Sequence, residues 1–361
     1  MSRILDAPFP RVGDSAPGGA SGAHPLPRVG RDDERNPGDA IAMNRDRLKA
    51  PSREGGATRV FTVDLEEYFE VQALREFIPP AEWDALPPRV DRAVDSLLSL
   101  LDRHSSRATF FASAWVAERH PALVRRIVDE GHEVGVLGRN PDRDDRAERV
   151  EEWRRDVRET RERLERVAGM PVIGYRSSRF THPVGPEDAV TFLADAGFQY
   201  DSTLTGRRIR EDFGRRSSPT GTAPTITTPE GRLLEVPPTT LQLFGRRIFT
   251  VGRTAFRVLP LAMIRRTLED DASDGLAGMF CMRSWEMDSA QPTLPVSLMS
   301  RVRLYWGLDR VEDRLEALLR DYRFVSVAEA LGLASFDPPE EGEDSASRDD
   351  RDRASVRQAH G

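Results

Sequence analysis

The strongest constraint on this chain is an alternation of strand-like and helix-like segments that spans residues 58–335. The apolar run Arg59-Val-Phe-Thr-Val-Asp64 predicts a strand ending in carboxylates, and Ala108-Thr-Phe-Phe-Ala112 predicts a second. Between them, Val94, Leu97, Leu98 and Leu101 recur at helical spacing within residues 90–104. Residues 121–131 predict a helix with a glycine stop, 132–137 a strand, 147–167 a long charged amphipathic helix and 171–175 another strand. A glycine-closed helix follows over 186–197. Strands are predicted over 233–241, 279–285 and 324–327, with helices over 255–269 and 309–321 between them. Alternation over this length favours a parallel α/β architecture. A (β/α) barrel is its closed solution, with the active site at the C-terminal strand ends. No internal repeat is present.

The flanks differ in kind. Residues 1–57 are rich in Gly, Pro, Arg and Asp, with Phe9 as their only aromatic. Such a segment buries too little apolar area to offset its ordering entropy, so disorder is expected. Translation starting at Met43 instead of Met1 would remove most of it, so residues 1–42 are either an over-long gene start or a flexible tail. Residues 336–361 are Pro-led, acidic and mixed in charge, and read as a solvated tail.

Composition excludes several functions. The net charge is −7, which argues against a general nucleic-acid binder. Lys49 is the only lysine, and the arginines are dispersed, a coding bias more than a binding stripe. A single cysteine, Cys281, rules out an intrachain disulfide and a multi-cysteine zinc site. The apolar stretch 258–264 is interrupted by Pro260 and closed by Arg265 and Arg266, far short of the roughly 20 residues a spanning helix needs. No apolar run follows a basic start, so a cytoplasmic location is expected.

Chemistry is first suggested at the end of the first strand. Asp64 and Glu66 lie two apart, so on a strand both side chains point the same way. Two neighbouring carboxylates repel and raise a pKa unless a cation intervenes. A solvated strand-to-loop turn is the plainer reading of the same residues.

The run Phe61-Thr-Val-Asp-Leu-Glu-Glu-Tyr-Phe69 resembles the first motif of the polysaccharide deacetylases, the NodB-homology family. It is most similar to the branch associated with exosortase and exopolysaccharide loci. The similarity continues through Arg107-Ala-Thr-Phe-Phe111, Trp115-Val-Ala-Glu-Arg-His-Pro121, Gly131-His-Glu133 and Gly174-Tyr-Arg176. It extends through Tyr200-Asp-Ser202, Glu235-Val-Pro237 and Trp285-Glu-Met-Asp288. Thr240-Leu-Gln-Leu-Phe-Gly245, Phe256-Arg-Val-Leu-Pro260 and Leu308-Asp-Arg310 resemble that branch's C-terminal extension.

The resemblance implies a distorted (β/α) barrel over 58–335 that removes N-acetyl groups from an amino-sugar polysaccharide. It implies a divalent metal such as zinc, which polarises the amide carbonyl and activates water. On matched positions Asp64 is the general base, Glu66 the carboxylate ligand with Glu67 as substitute, and Arg176 the arginine that orients the base. Tyr175, Asp201 and Trp285 fall in the substrate groove. The two metal histidines fall at Leu137 and Pro141, which have no side-chain donor. The acid histidine falls at Arg283, which stays protonated and cannot cycle a proton. Ser178 stands where proline is usual.

Other residues offer weak substitutes. None of the six histidines lies four residues from another. His132 reads as a packed strand histidine, His182 as a loop histidine near the site, and Cys281 as a buried thiol. Asp142, Asp144 and Asp145 offer either oxygens for a hard cation or a solvated loop. Two functions follow: a degenerate relative with no tightly bound metal that binds a glycan or an exopolysaccharide-assembly protein, or an active N-deacetylase with an unorthodox metal site. Without a metal, Arg283 is expected as the counter-charge to Asp64 and Glu66.

Overall fold

The computed structural model describes residues 59–139, 146–204, 225–228, 231–243, 246–250, 252–273 and 278–333. The expectations for 1–57, 336–361, Pro141, Asp142, Asp144 and Asp145 lie outside them.

The first half of the chain alternates strands and helices. It contains β1 (Arg59–Leu65), α1 (Val90–Arg103), β2 (Thr109–Ala112), α2 (Ala114–Arg119), α3 (Pro121–Asp129) and β3 (Glu133–Gly138). Then come α4 (Arg146–Ala168), β4 (Gly174–Ser177), α5 (Pro186–Asp195) and β5 (Tyr200–Asp201). Two hairpins follow, β6 (Thr225–Thr228) with β7 (Gly231–Glu235) and β8 (Thr240–Leu243) with β9 (Arg246–Thr250). The remainder is α6 (Arg253–Val258), α7 (Leu261–Ser273), β10 (Gly278–Arg283), α8 (Leu298–Tyr305), α9 (Val311–Asp321), β11 (Phe324–Val325) and α10 (Val327–Leu331).

The main sheet runs β10-β1-β2-β3-β4-β5-β7-β6, with β11 also paired to β1. Every pairing in it is parallel except β6 with β7. The sheet is open, yet curled: Arg176 on β4 reaches Thr62 on β1 and Met279 on β10. This is the distorted barrel expected, an α/β half-barrel.

Alternation along each strand sorts side chains onto two faces. Phe61, Val63, Phe110, Val136 and Phe280 pack outward in the larger apolar cluster with Leu97, Leu101 and Val124 of the helices. Val60, Phe111, Leu137, Met279 and Cys281 pack in a second cluster inside the curl. Each fully buried aliphatic of this kind stabilises the fold by about 1.5–3 kcal/mol. Asp64 and Arg283 share the parity of the inner set, so the pleat delivers both to the concave face.

Two expected elements divide at proline. Residues 233–241 form two strands, because Pro237 and Pro238 lack the amide donors a ladder needs. Residues 255–269 form α6 and α7, because Leu259, before Pro260, is forced to an extended ψ of 155°.

Candidate functional site

The concave face opens at the C-terminal strand ends into a cavity of about 790 Å³. Glu66, Ser113, Leu137, Ser178 and Arg283 line it from the ends of β1, β2, β3, β4 and β10. Its far wall comes from α6 and α8, including Arg253 and Arg303.

Asp64 sits beneath this cavity with its side chain 1% exposed. The Arg176 guanidinium, fully buried, donates to Asp64 Oδ1 at 3.2 Å. Arg176 is itself fixed by Thr62 Oγ1 at 2.8 Å, Ser202 O at 3.2 Å and Ser202 Oγ at 2.9 Å, and lies 4.3 Å from the Phe111 ring centre. The second oxygen, Asp64 Oδ2, accepts from Arg253 Nη2. Arg253 also stacks on Phe180 at 4.2 Å. Both Phe180 and Arg253 have left-handed backbones, with φ of 56° and 48°, a cost that the surrounding structure must sustain. The preceding Gly252 has φ 118°, and a Cβ there would lie 1.7 Å from the Cys281 carbonyl oxygen, so only glycine admits this approach.

Glu66 Oε1 accepts from the Trp285 indole at 3.3 Å and lies 3.2 Å from Arg283 Nε. The latter contact is an ion pair without hydrogen-bond geometry, since Arg283 Nε has no acceptor. Burial pushes the Glu66 carboxyl up, against the downward pull of Arg283. Glu70 is a further buried acid in the lining, accepting from Glu67 N at 2.8 Å and Ser113 Oγ at 3.0 Å. Burial, with Glu66 nearby, raises its pKa to about 8.

The structure therefore brings Asp64, Glu66, Arg176, Arg283 and Trp285 together. It divides the expected counter-charge: Arg283 serves Glu66, whereas Arg253 serves Asp64. Arg253 carried no sequence signal, because its place depends on a contact across 189 residues. Leu137 lines the cavity as a buried hydrocarbon.

Two groove expectations are corrected. Tyr175 and Asp201 do not line the cavity. Tyr175 precedes Arg176 by one residue, so the pleat turns it to the opposite face, and the β4–β5 register sets Asp201 beside it. There Tyr175 Oη accepts from the Trp153 indole at 2.9 Å, and Asp201 pairs with His182 Nε2 at 2.8 Å. His182 also stacks on Tyr175. Glu67 likewise turns away, accepting from Val90 N at 2.8 Å to cap α1. His132 accepts from Ala108 N at 3.2 Å, and burial lowers its pKa to about 4. Cys281 is buried and accepts from Thr62 Oγ1 at 3.2 Å.

Residues 82–200 match the family model described as polysaccharide deacetylase. Residues 82–200 thus carry a polysaccharide deacetylase domain. Residues 207–332 match a second model, a domain of unknown function, DUF3473, which fits the C-terminal extension of the expected branch. Asp64 and Glu66 precede the first match, and Arg253 lies in the second.

A solved structure from Mycobacterium smegmatis that carries the family name is 20% identical, with 78% of this chain and 91% of that chain covered and a TM-score of 0.50. Another from Pseudomonas aeruginosa is 18% identical, covering 74% and 86%, with a TM-score of 0.42. A Bacillus anthracis pseudoenzyme is 12% identical, covering 77% and 66%, with a TM-score of 0.36. The first of these supports the fold. No curated protein matches the chain.

The family implies a metal, and the described donors do not fit one. Zinc takes nitrogen, sulfur or oxygen donors at about 2.0–2.3 Å. Leu137 offers none, and both Asp64 oxygens face guanidiniums. Among the described residues, no group of three His, Cys, Asp or Glu side chains converges as a metal site. No described helix is long and apolar enough to cross a membrane.

Proposed function

We propose that this chain is a degenerate member of the polysaccharide deacetylase family that keeps the half-barrel and its cavity as a glycan-binding site. Its occupant is an exopolysaccharide chain, with a protein of exopolysaccharide assembly as the other candidate partner. The observation that carries this reading is the double guanidinium contact of Asp64, from Arg176 and Arg253. A general base needs an accessible lone pair for the proton of an attacking water, and two guanidiniums on a carboxylate 1% exposed restrict that access. Here one oxygen is held by Arg176, as in the family pattern, and the other is taken by Arg253. At the acid position Arg283 has no proton to give at a working pH.

The second reading, an active carbohydrate N-deacetylase with an unorthodox metal site, is favoured by one contact. Asp64 and Arg176 keep the pairing a base and its orienting arginine need. Metal analysis and acetate release from N-acetylglucosamine oligomers decide between the two. The native protein is expected to hold far less than one zinc per chain and to release no acetate. The variant combining Leu137→His, Pro141→His, Arg283→His and Arg253→Ala is expected to gain zinc. Stoichiometric zinc together with acetate release from the native protein overturns the degenerate reading.

A further inference from the structure

We infer that the cavity recognises an acidic saccharide, one carrying carboxylate or another oxyanion group, in preference to a neutral N-acetylated amino sugar. This rests on the glycan-binding reading and names the class of glycan. The first ground is charge. The cavity lining carries seven arginines and three glutamates; Asp64 beneath it and Glu152 beside it pair with Arg253 and Arg139, which still leaves arginine in excess, in a chain whose net charge is −7. A cationic excess at one site in an anionic protein is not a consequence of composition, and a concave wall of one sign focuses attraction on the opposite charge.

The second ground is how those charges are spent. Of the three glutamates, Glu286 is matched by Arg257 at 2.8 Å, and Glu66 by Arg283. Glu70 is turned to protein donors, accepting from Glu67 N at 2.8 Å and Ser113 Oγ at 3.0 Å. Among the described residues Arg303 pairs with no carboxylate, and the terminal amino groups of Arg283 donate to none. Arg253 gives Nη2 to Asp64, while its Nε has no acceptor. Guanidinium forks of this kind match planar oxyanions bidentately.

The third ground is the remaining lining. Trp83, Phe180 and Trp285 border the same space as apolar walls against which a sugar ring can pack, the two indoles mostly buried and Phe180 already covered on one face by Arg253. Apolar walls with a few placed polar groups are the usual make-up of a small-molecule site. Aromatic walls with a cationic excess suit a ring that carries an anion.

The test is calorimetric titration of the full chain with uronic-acid oligosaccharides, N-acetylglucosamine oligomers of equal length, and sodium sulfate. The uronate oligomer is expected to bind at least about tenfold more tightly than the neutral one, and to weaken as salt rises. Arg303→Gln, at an exposed position, is expected to cost about three- to tenfold in uronate affinity without altering neutral-oligomer binding. Arg283→Met is expected to do the same where it folds. Equal or tighter binding of the neutral oligomer overturns the acidic preference and leaves the glycan reading standing. Binding of neither oligomer overturns both. Sulfate binding as tight as the uronate oligomer overturns the saccharide assignment, and unchanged uronate affinity in Arg303→Gln overturns the role of the arginine wall.

Discussion

Replacing Arg283 by methionine removes the charge facing Glu66 while leaving an apolar stem near Trp285, whose ring centre lies 5.7 Å from the guanidinium. Glu66 is 8% exposed and Arg283 23%, so solvent does little to screen the pair. Without Arg283, the carboxylate retains only the Trp285 indole as a side-chain donor. It can escape ionisation by staying protonated, at about 1.4 kcal/mol per pH unit above its free value. That free value is 4.5, so the cost is capped at about 3 kcal/mol near pH 7 and at under about 1 kcal/mol near pH 5. Native Glu66 is already pushed up by burial, so part of this cost is present before the substitution. The expected loss is about 2 kcal/mol at neutral pH, or a melting temperature lower by roughly 3–6 °C. The sign follows from an acid whose folded pKa lies above its unfolded one: the stability it contributes is full below 4.5 and is lost as pH rises through the folded value. Thermal and urea unfolding of both proteins at acid and neutral pH measures this. An unchanged melting temperature at neutral pH, or a deficit that grows toward acid, would refute the salt-bridged reading of the site.

Glu70→Gln keeps an acceptor for Glu67 N and removes a titration. Native stability is expected to decline as pH rises from 4.5 to about 8 and the variant's to stay flatter, as read by urea unfolding across that window. Glu67→Ala is expected to cost about 1–2 kcal/mol by uncapping α1, with no change in metal content. A metal-linked loss would instead restore Glu67 to the site. His182→Ala is expected to cost about 3 kcal/mol, because it leaves Oδ2 of the fully buried Asp201 without its partner while Thr203 Oγ1 holds only Oδ1. Glycan affinity should be unaltered in that variant, and a specific loss of binding would return Asp201 to the groove.

The positions of β1, β2, β3 and β10 and the inner face of the half-barrel were legible because both depend on local periodicity. Arg59 to Asp64 alternates in and out over consecutive residues, and the same parity carries Arg283 to the concave side, with Glu66 just past the end of β1 lining the cavity. That Leu137 and Pro141 carry no side-chain donor was legible too, because side-chain chemistry is written in the residue itself. Parity could also have placed Tyr175 on the outer face, since it adjoins Arg176. The resemblance pointed the other way because motif order carries no information about facing. Asp201 needed more, because its face follows from the parallel register of β5 on β4, which spacing along one strand does not set. Only the tertiary structure decided how Asp64 is neutralised. Arg253 arrives from a different hairpin-to-helix junction, held by Gly252 against the Cys281 carbonyl and by stacking on Phe180. A buried charge recruits whichever guanidinium the completed packing brings within reach, and that choice is a property of long-range contacts rather than of any sequence window.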